Sequence, residues 1–141
     1  MAANFTFSLR GGEDAGGLHR YAPGDKISGT ITIVPDKQIS CNRLLIRLAW
    51  HTEGRGDRDG QSVAEIDVFR GMLQANLPVS YDFAFTAPAA PWSYAGHYVN
   101  IVWAIEANID VSMAVDPRGS QPFILAPSDQ ITNSTSVWGV R

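Results

Sequence analysis

Apolar and polar positions alternate along this chain, and the alternation is clearest after Gly96. Val99, Ile101, Trp103, Ile105, Ala107, Ile109 and Val111 are apolar, while Asn100, Val102, Ala104, Glu106, Asn108 and Asp110 between them are mostly small or polar. Side chains on a strand point to opposite faces in turn, so the run predicts one strand with a buried and a wetter face. The apolar positions do not fall at the i, i+3, i+4, i+7 spacing of a helix. The run exceeds the usual strand length of about 5–6 residues, so a bend or bulge inside it is expected. Period two recurs through Phe5–Leu9, Lys26–Ile33, Arg43–His51, Glu65–Arg70 and Val79–Thr86. A short last strand is expected over Pro122–Ala126, with Pro122 at its first position, where a missing N–H is tolerated.

Turn chemistry separates these runs. Gly11-Gly12 and Gly16-Gly17 flank what reads as a flexible loop, and Pro23-Gly24-Asp25 is a tight turn in which proline fixes φ and glycine is free to take φ > 0. The segment Gly54-Arg55-Gly56-Asp57-Arg58-Asp59-Gly60 is a hydrophilic connection between two strands. About seven strands with no helical pattern predict an all-β, immunoglobulin-like antiparallel sandwich over residues 1–126. The polar residues that follow read as a tail over 127–141. Gly29, inside an alternating run, predicts a bulge or a close backbone approach.

Two stretches together resemble the arrestin family and its Vps26-like relatives. One is Tyr21-Ala22-Pro23-Gly24-Asp25-Lys26-Ile27-Ser28-Gly29-Thr30-Ile31, similar to that family's tyrosine-x-proline-glycine-acid turn leading into a strand with a glycine. The other is the apolar strand to Phe85, then Pro88, Trp92-Ser93-Tyr94, Gly96 and the long alternating run. Order and spacing match an arrestin N-terminal domain across roughly Phe5–Ala126. The matching residues are architectural, so what the resemblance implies is a fold and a non-enzymatic adaptor or scaffold role. Typical arrestins have two such sandwiches and this sequence reads as one, so receptor binding, phosphate sensing and clathrin recruitment are not carried over.

Composition narrows the function classes. The 141 residues suffice for one domain with a substantial core, and 45% hydrophobic with 18% charged residues is ordinary for a globular protein. A net charge of -3 supplies no basic field for a phosphate backbone, which makes nucleic acid a poor partner. No apolar stretch approaches the ~20 residues of a membrane-spanning helix. The single cysteine, Cys41, excludes an internal disulfide and a cysteine metal cage. Met1-Ala2-Ala3-Asn4 has neither the charged nor the apolar region of a signal peptide, so the expected compartment is the cytoplasm.

Catalytic chemistry finds little support. His19, His51 and His97 lie on different segments, no G-x-S-x-G or other nucleophile motif is present, and Cys41 reads as an inert buried thiol. Glu53, Asp57 and Asp59 form the densest oxygen cluster, but the remaining ligands of a calcium loop are missing and Arg55 and Arg58 offset its charge. No enzyme activity, cofactor or metal is therefore expected. Trp50 and Trp103 fall on the apolar phase of their strands and read as core. Trp92 is expected to pack at the sandwich edge, and Trp138 with Val137 stands on the polar tail as a docking or recognition element. The expected function is protein–protein interaction, including self-assembly through sheet edges and the tail, with Trp92, Tyr94, Val137, Trp138, Arg55 and Arg58 as contact residues. The alternative is a small-molecule or carbohydrate-binding sandwich that uses Trp92, Tyr94, His97 and Tyr98 as a stacking platform.

Overall fold

The computed structural model describes residues 3–54, 59–95 and 99–126, the side chains at positions 94, 95 and 99 excepted. The described chain is strand and turn throughout: β1 (Ala3–Arg10), β2 (Glu13–Ala15), β3 (Leu18–Tyr21), β4 (Lys26–Pro35), β5 (Ile39–Gly54), β6 (Gly60–Leu73), β7 (Val79–Thr86), β8 (Tyr94–Ala95), β9 (Val99–Asp110) and β10 (Arg118–Leu125). They form a three-stranded sheet, β1-β4-β7, and a seven-stranded sheet, β2-β3-β10-β9-β5-β6, with β8 also on β9.

The inward phase of each alternating run supplies the core. Ile27, Ile31 and Ile33 of β4 and Phe83 and Phe85 of β7 meet Leu44, Ile46 and Leu48 of β5 and Trp103, Ile105 and Ile109 of β9. Complete burial of one such aliphatic side chain contributes roughly 1.5–3 kcal/mol relative to exposure, and this cluster is contiguous across both sheets. Trp103 is fully buried, as its phase predicts, while Trp50 is only partly buried at the margin of the cluster.

Several local expectations change. The Gly11–Gly17 segment is a hairpin, β2–β3, with Gly11, Gly12, Gly16 and Gly17 at positive φ. Strand β3 then pairs parallel with β10 at Arg20↔Ile124 and Tyr21↔Leu125, so the sandwich is not wholly antiparallel. β10 starts at Arg118, four residues before Pro122, and Pro122 opposite Ala104 has a strand on one side only. An edge position spares the proline a ladder bond, which is why it can sit inside the strand. Register between β5 and β9 runs unbroken from Arg43↔Asp110 to Gly54↔Val99, so the long run carries no bulge against β5. The irregularities lie between β5 and β6, at Cys41/Leu44, Leu44/Leu45 and Leu48/Ala49.

Gly29 answers to close approach. Its strand pairs without interruption on both sides, and a Cβ there would stand 2.4 Å from the Ser8 carbonyl oxygen and 2.9 Å from Phe83 Cζ. Replacing Gly29 by Ala therefore forces a backbone shift in the central strand of the small sheet. We expect a loss of about 1–3 kcal/mol in chemical denaturation; an unchanged midpoint would show that the strand has room to spare.

Candidate interaction surface

The two stretches that resemble the arrestin pattern meet in space, where the chain crosses between the sheets. The Ala22 N–H donates to Asp25 Oδ2 at 2.9 Å and the Asp25 N–H to the Ala22 carbonyl at 3.0 Å, which closes the turn. Gly24, at φ +89, donates its N–H to the Ala87 carbonyl, and the Ala87 N–H returns a bond to the Asp25 carbonyl, both at 2.8 Å. The fully buried Tyr21 donates its hydroxyl to the Arg10 carbonyl at 2.8 Å and sets its ring edge-on to Phe123. After β7, the Trp103 indole N–H donates to the Pro91 carbonyl at 2.6 Å, across a cis Ala90–Pro91 peptide. Ser93 bonds to β10 twice, by its N–H to the Leu125 carbonyl and by its Oγ from the Leu125 N–H. These residues are occupied in holding the fold.

Of the contact residues expected from sequence, Trp92 is the one whose side chain is described. It leaves 46% of its surface exposed, short of the packed position expected for it. Tyr94 is placed by its backbone in β8, opposite Ile101. Arg55, Arg58, Asp57, His97, Tyr98, Val137 and Trp138 lie outside the described residues.

The remaining polar candidates have local partners. His19 donates Nδ1–H to the Gly11 carbonyl at 2.9 Å within the β2–β3 hairpin. His51 donates Nε2–H to Glu53 Oε2 at 2.7 Å, and its buried Nδ1 has no partner among the described residues. Asp59 accepts the Gly60 N–H. Among the described residues no three His, Cys, Asp or Glu side chains converge as metal ligands. Burial first, then the nearby Asp110 and Asp67 carboxylates, push the Cys41 thiol up to about 11, which suits an inert packing group.

A feature that the strand pattern left unread is the turn between β9 and β10. Met113 and Val115 are 103% and 93% exposed, and Met113 sits at φ 59, a left-handed conformation that costs a bulky side chain energy. The turn is nevertheless held at several points. Asp116 accepts the Val111 N–H at 3.0 Å and the Asn108 side-chain amide at 3.1 Å, Ile109 N–H donates to the Pro117 carbonyl, and Asn42 donates to Ser112 Oγ at 2.8 Å. Exposed Met72, the penultimate residue of β6, and Leu77, in the turn after it, lie toward the same end of β5 as the β9–β10 turn, because Ser40 pairs with Met72 and Arg43 with Asp110. This end of the sandwich thus presents four large exposed apolar side chains, three on loops and Met72 near the end of β6. The sequence signal was present in Ser112-Met113-Ala114-Val115-Asp116-Pro117, three apolar residues between an anchor serine and an anchor aspartate-proline, but it carries no periodicity to flag it.

On the outer face of the large sheet, cross-strand neighbours alternate in charge through Glu65, Arg47 and Glu106, with the Arg47 Nε–Glu65 Oε2 distance at 3.0 Å. A shallow polar hollow of about 250 Å³ lies beside them, lined by Arg47, Glu106, Asn108, Arg118 and Ser120. It lacks the apolar walls of a typical small-molecule site.

Two measurements check these assignments. Tyr21→Phe keeps the ring and deprives the Arg10 carbonyl of its donor; a loss of about 1 kcal/mol in urea denaturation is expected, and none at all would remove Tyr21 as a tie between crossings. The Val111 amide and then the Asn108 side chain hold the Asp116 carboxyl below its ordinary 3.8. Because that value is lowered in the folded chain, the contribution of Asp116 to the turn is complete above pH 3.8 and fades as pH falls through the lower folded value. The Val111 amide resonance should titrate with a midpoint below 3.8; a midpoint at or above it contradicts the bonding described.

No family model matches this chain, and no curated protein matches it. Among solved structures, it is similar to Spo0M, the sporulation control protein of Bacillus subtilis, with a TM-score of 0.67 at 16% sequence identity. The match covers 94% of this chain and 53% of that one, so the chain spans about half the length of Spo0M. Spo0M is arrestin-like, and the likeness at this identity is one of fold: the chain is an all-β sandwich of arrestin-like architecture.

Proposed function

We propose that this protein is a non-enzymatic adaptor or scaffold that acts by protein–protein contact. The observation that carries the reading is the β9–β10 turn, a firmly bonded frame that holds Met113 and Val115 fully in solvent, at the same end of β5 as the exposed Met72. Apolar side chains held outward at the cost of a left-handed Met113 gain nothing for the folded monomer and gain area when a partner with an apolar recess covers them. The occupied state of the motif residues supports the same division of labour, with scaffold at one end and contact loops at the other. The similarity to Spo0M, a sporulation control protein, fits a regulatory adaptor in the cytoplasm, with residues 127–141 as a further docking element.

A second reading, a carbohydrate or small-molecule site, draws on one observation: the half-exposed Trp92 offers a stacking face. Titrating a panel of mono- and disaccharides against tryptophan fluorescence, with W92A as the control, decides it. A saturable change lost in W92A supports this reading, and a flat response throughout overturns it.

For the leading reading, wild-type protein and a double variant, M113D with V115D, serve as baits in extracts of the native source. The substituted positions are exposed, so circular dichroism should be unchanged. We expect a specific partner on the wild type that falls at least tenfold on the variant. Equal recovery on both baits removes the β9–β10 turn from the contact, and no retained protein on either contradicts the adaptor reading itself.

A further inference from the structure

Sheet edges are templates for another strand, and folded proteins ordinarily protect them by shortness, bulges, prolines, charges or covering segments. The described edges of this sandwich are protected unequally. β2 has only three residues. β6 is broken out of flat register three times against β5 and carries Glu65, Asp67 and Arg70. β1 leans on β10, where a Cβ on Gly119 would stand 2.7 Å from Phe5 Cβ, and the open part of β10 contains Pro122. β7 has none of these devices. It pairs with β4 in unbroken register from Val79↔Ile33 to Thr86↔Lys26, contains neither proline nor glycine, has a single charge at Asp82, and pairs with no other described strand. Its outward side chains, Ser80, Asp82, Ala84 and Thr86, are small and exposed, and its inward ones, Val79, Tyr81, Phe83 and Phe85, favour strands.

We propose that two copies of this chain pair antiparallel through their β7 edges, about a two-fold axis at Phe83, joining the small sheets into one of six strands. This deepens the interaction reading above and rests on it. A second copy is the occupant because the edge is complementary to itself in one register. In an antiparallel pair with core faces aligned, opposite residues must share the odd or even phase. Centring on Asp82 sets two like charges face to face, which disfavours pairing. Centring on Tyr81 runs into Pro78, and centring on Ala84 runs into Pro88, and each shortens the ladder. Centring on Phe83 pairs residues 79 to 87 without a proline, sets Tyr81 against Phe85 of the other copy and Ser80 against Thr86, and leaves each Asp82 opposite the small Ala84. Aromatic cross-strand pairs are favourable, and the pairing covers the half-buried Tyr81.

The register makes Ala84 the point of test. The residue is exposed on the outer face of β7, so its replacement leaves the monomer fold in place, which thermal unfolding verifies. Sedimentation velocity over a concentration series of the full chain reads the association. A84K places a lysine opposite Asp82 twice per dimer and should tighten association roughly two- to thirty-fold, while A84D places a second carboxylate there and should weaken it by a similar factor. Wild-type protein that stays monomeric throughout overturns the proposal while leaving the adaptor reading to its own bait experiment. Association untouched by either variant overturns it in favour of another surface. Loosening by A84K overturns the Phe83 register, since it signals two lysines facing each other across an axis at Ala84.

Discussion

The structure depends on how the chain is held where it passes from one sheet to the other. Three passages lie at one end: Arg10 to Glu13, Tyr21 to Lys26 and Thr86 to Tyr94. Tyr21 is common ground for the first two, since its hydroxyl takes up the Arg10 carbonyl while its own backbone leads into the Asp25 turn. Paired bonds between Gly24, Asp25 and Ala87 then fasten the second passage to the third, and Ser93 with Trp103 fastens the third to β10 and β9. A polar backbone group in such a passage has no ladder to join and would cost about 1–3 kcal/mol if buried unpaired. Each passage here supplies partners for another. The opposite end uses the same device more sparingly, with the Asn76 N–H, at φ 60, donating to the Pro35 carbonyl between the other two crossings.

Much of this was legible in the sequence. Period-two alternation located the central strands because one face of each is buried in a single core, and burial is what the period records. The turn residues Pro23, Gly24 and Asp25 and the passage through Pro91 and Ser93 carried much of the fold resemblance, because the crossings need those backbone shapes and hydrogen-bonding groups. The hairpin β2–β3 escaped because its strands have three and four residues, too few to show a period, and its glycines read as looseness although their positive φ values build the turns. The early start of β10 escaped because Arg118, Gly119 and Ser120 look like a loop unless Phe5 is known to pack on Gly119.

The candidate surface was far less legible, for a physical reason. Folding marks a sequence through burial, repeated at a fixed period over many residues. Binding by exposed groups leaves no period, since Met113 and Val115 are identified by what holds the turn beneath them, and that support comes from Asn42, sixty-six residues upstream of Asn108, as well as from Asp116 nearby. Trp92 shows the converse. Its neighbours Pro91 and Ser93 are fixed by Trp103 and Leu125, so its position in the chain is structural, yet its own ring is left half in solvent.

Edge exposure follows from the same topology. Among the described residues the small sheet is three strands wide, with β4 central and β1 and β7 at its margins. β1 is sheltered by contact with β10 through the Phe5–Gly119 approach, which is possible because glycine has no side chain to hold the two sheets apart there. On the other margin the Phe69–Tyr81 ring contact, with centroids 5.8 Å apart, packs β7 against the large sheet from inside and does nothing to its outward backbone groups. The inward residues that make β7 a good core strand also keep it flat and regular. A bulge within β7 would shift the alternation that turns Phe83 and Phe85 inward, so the regular edge that β7 presents among the described residues goes with how its side chains fill the core.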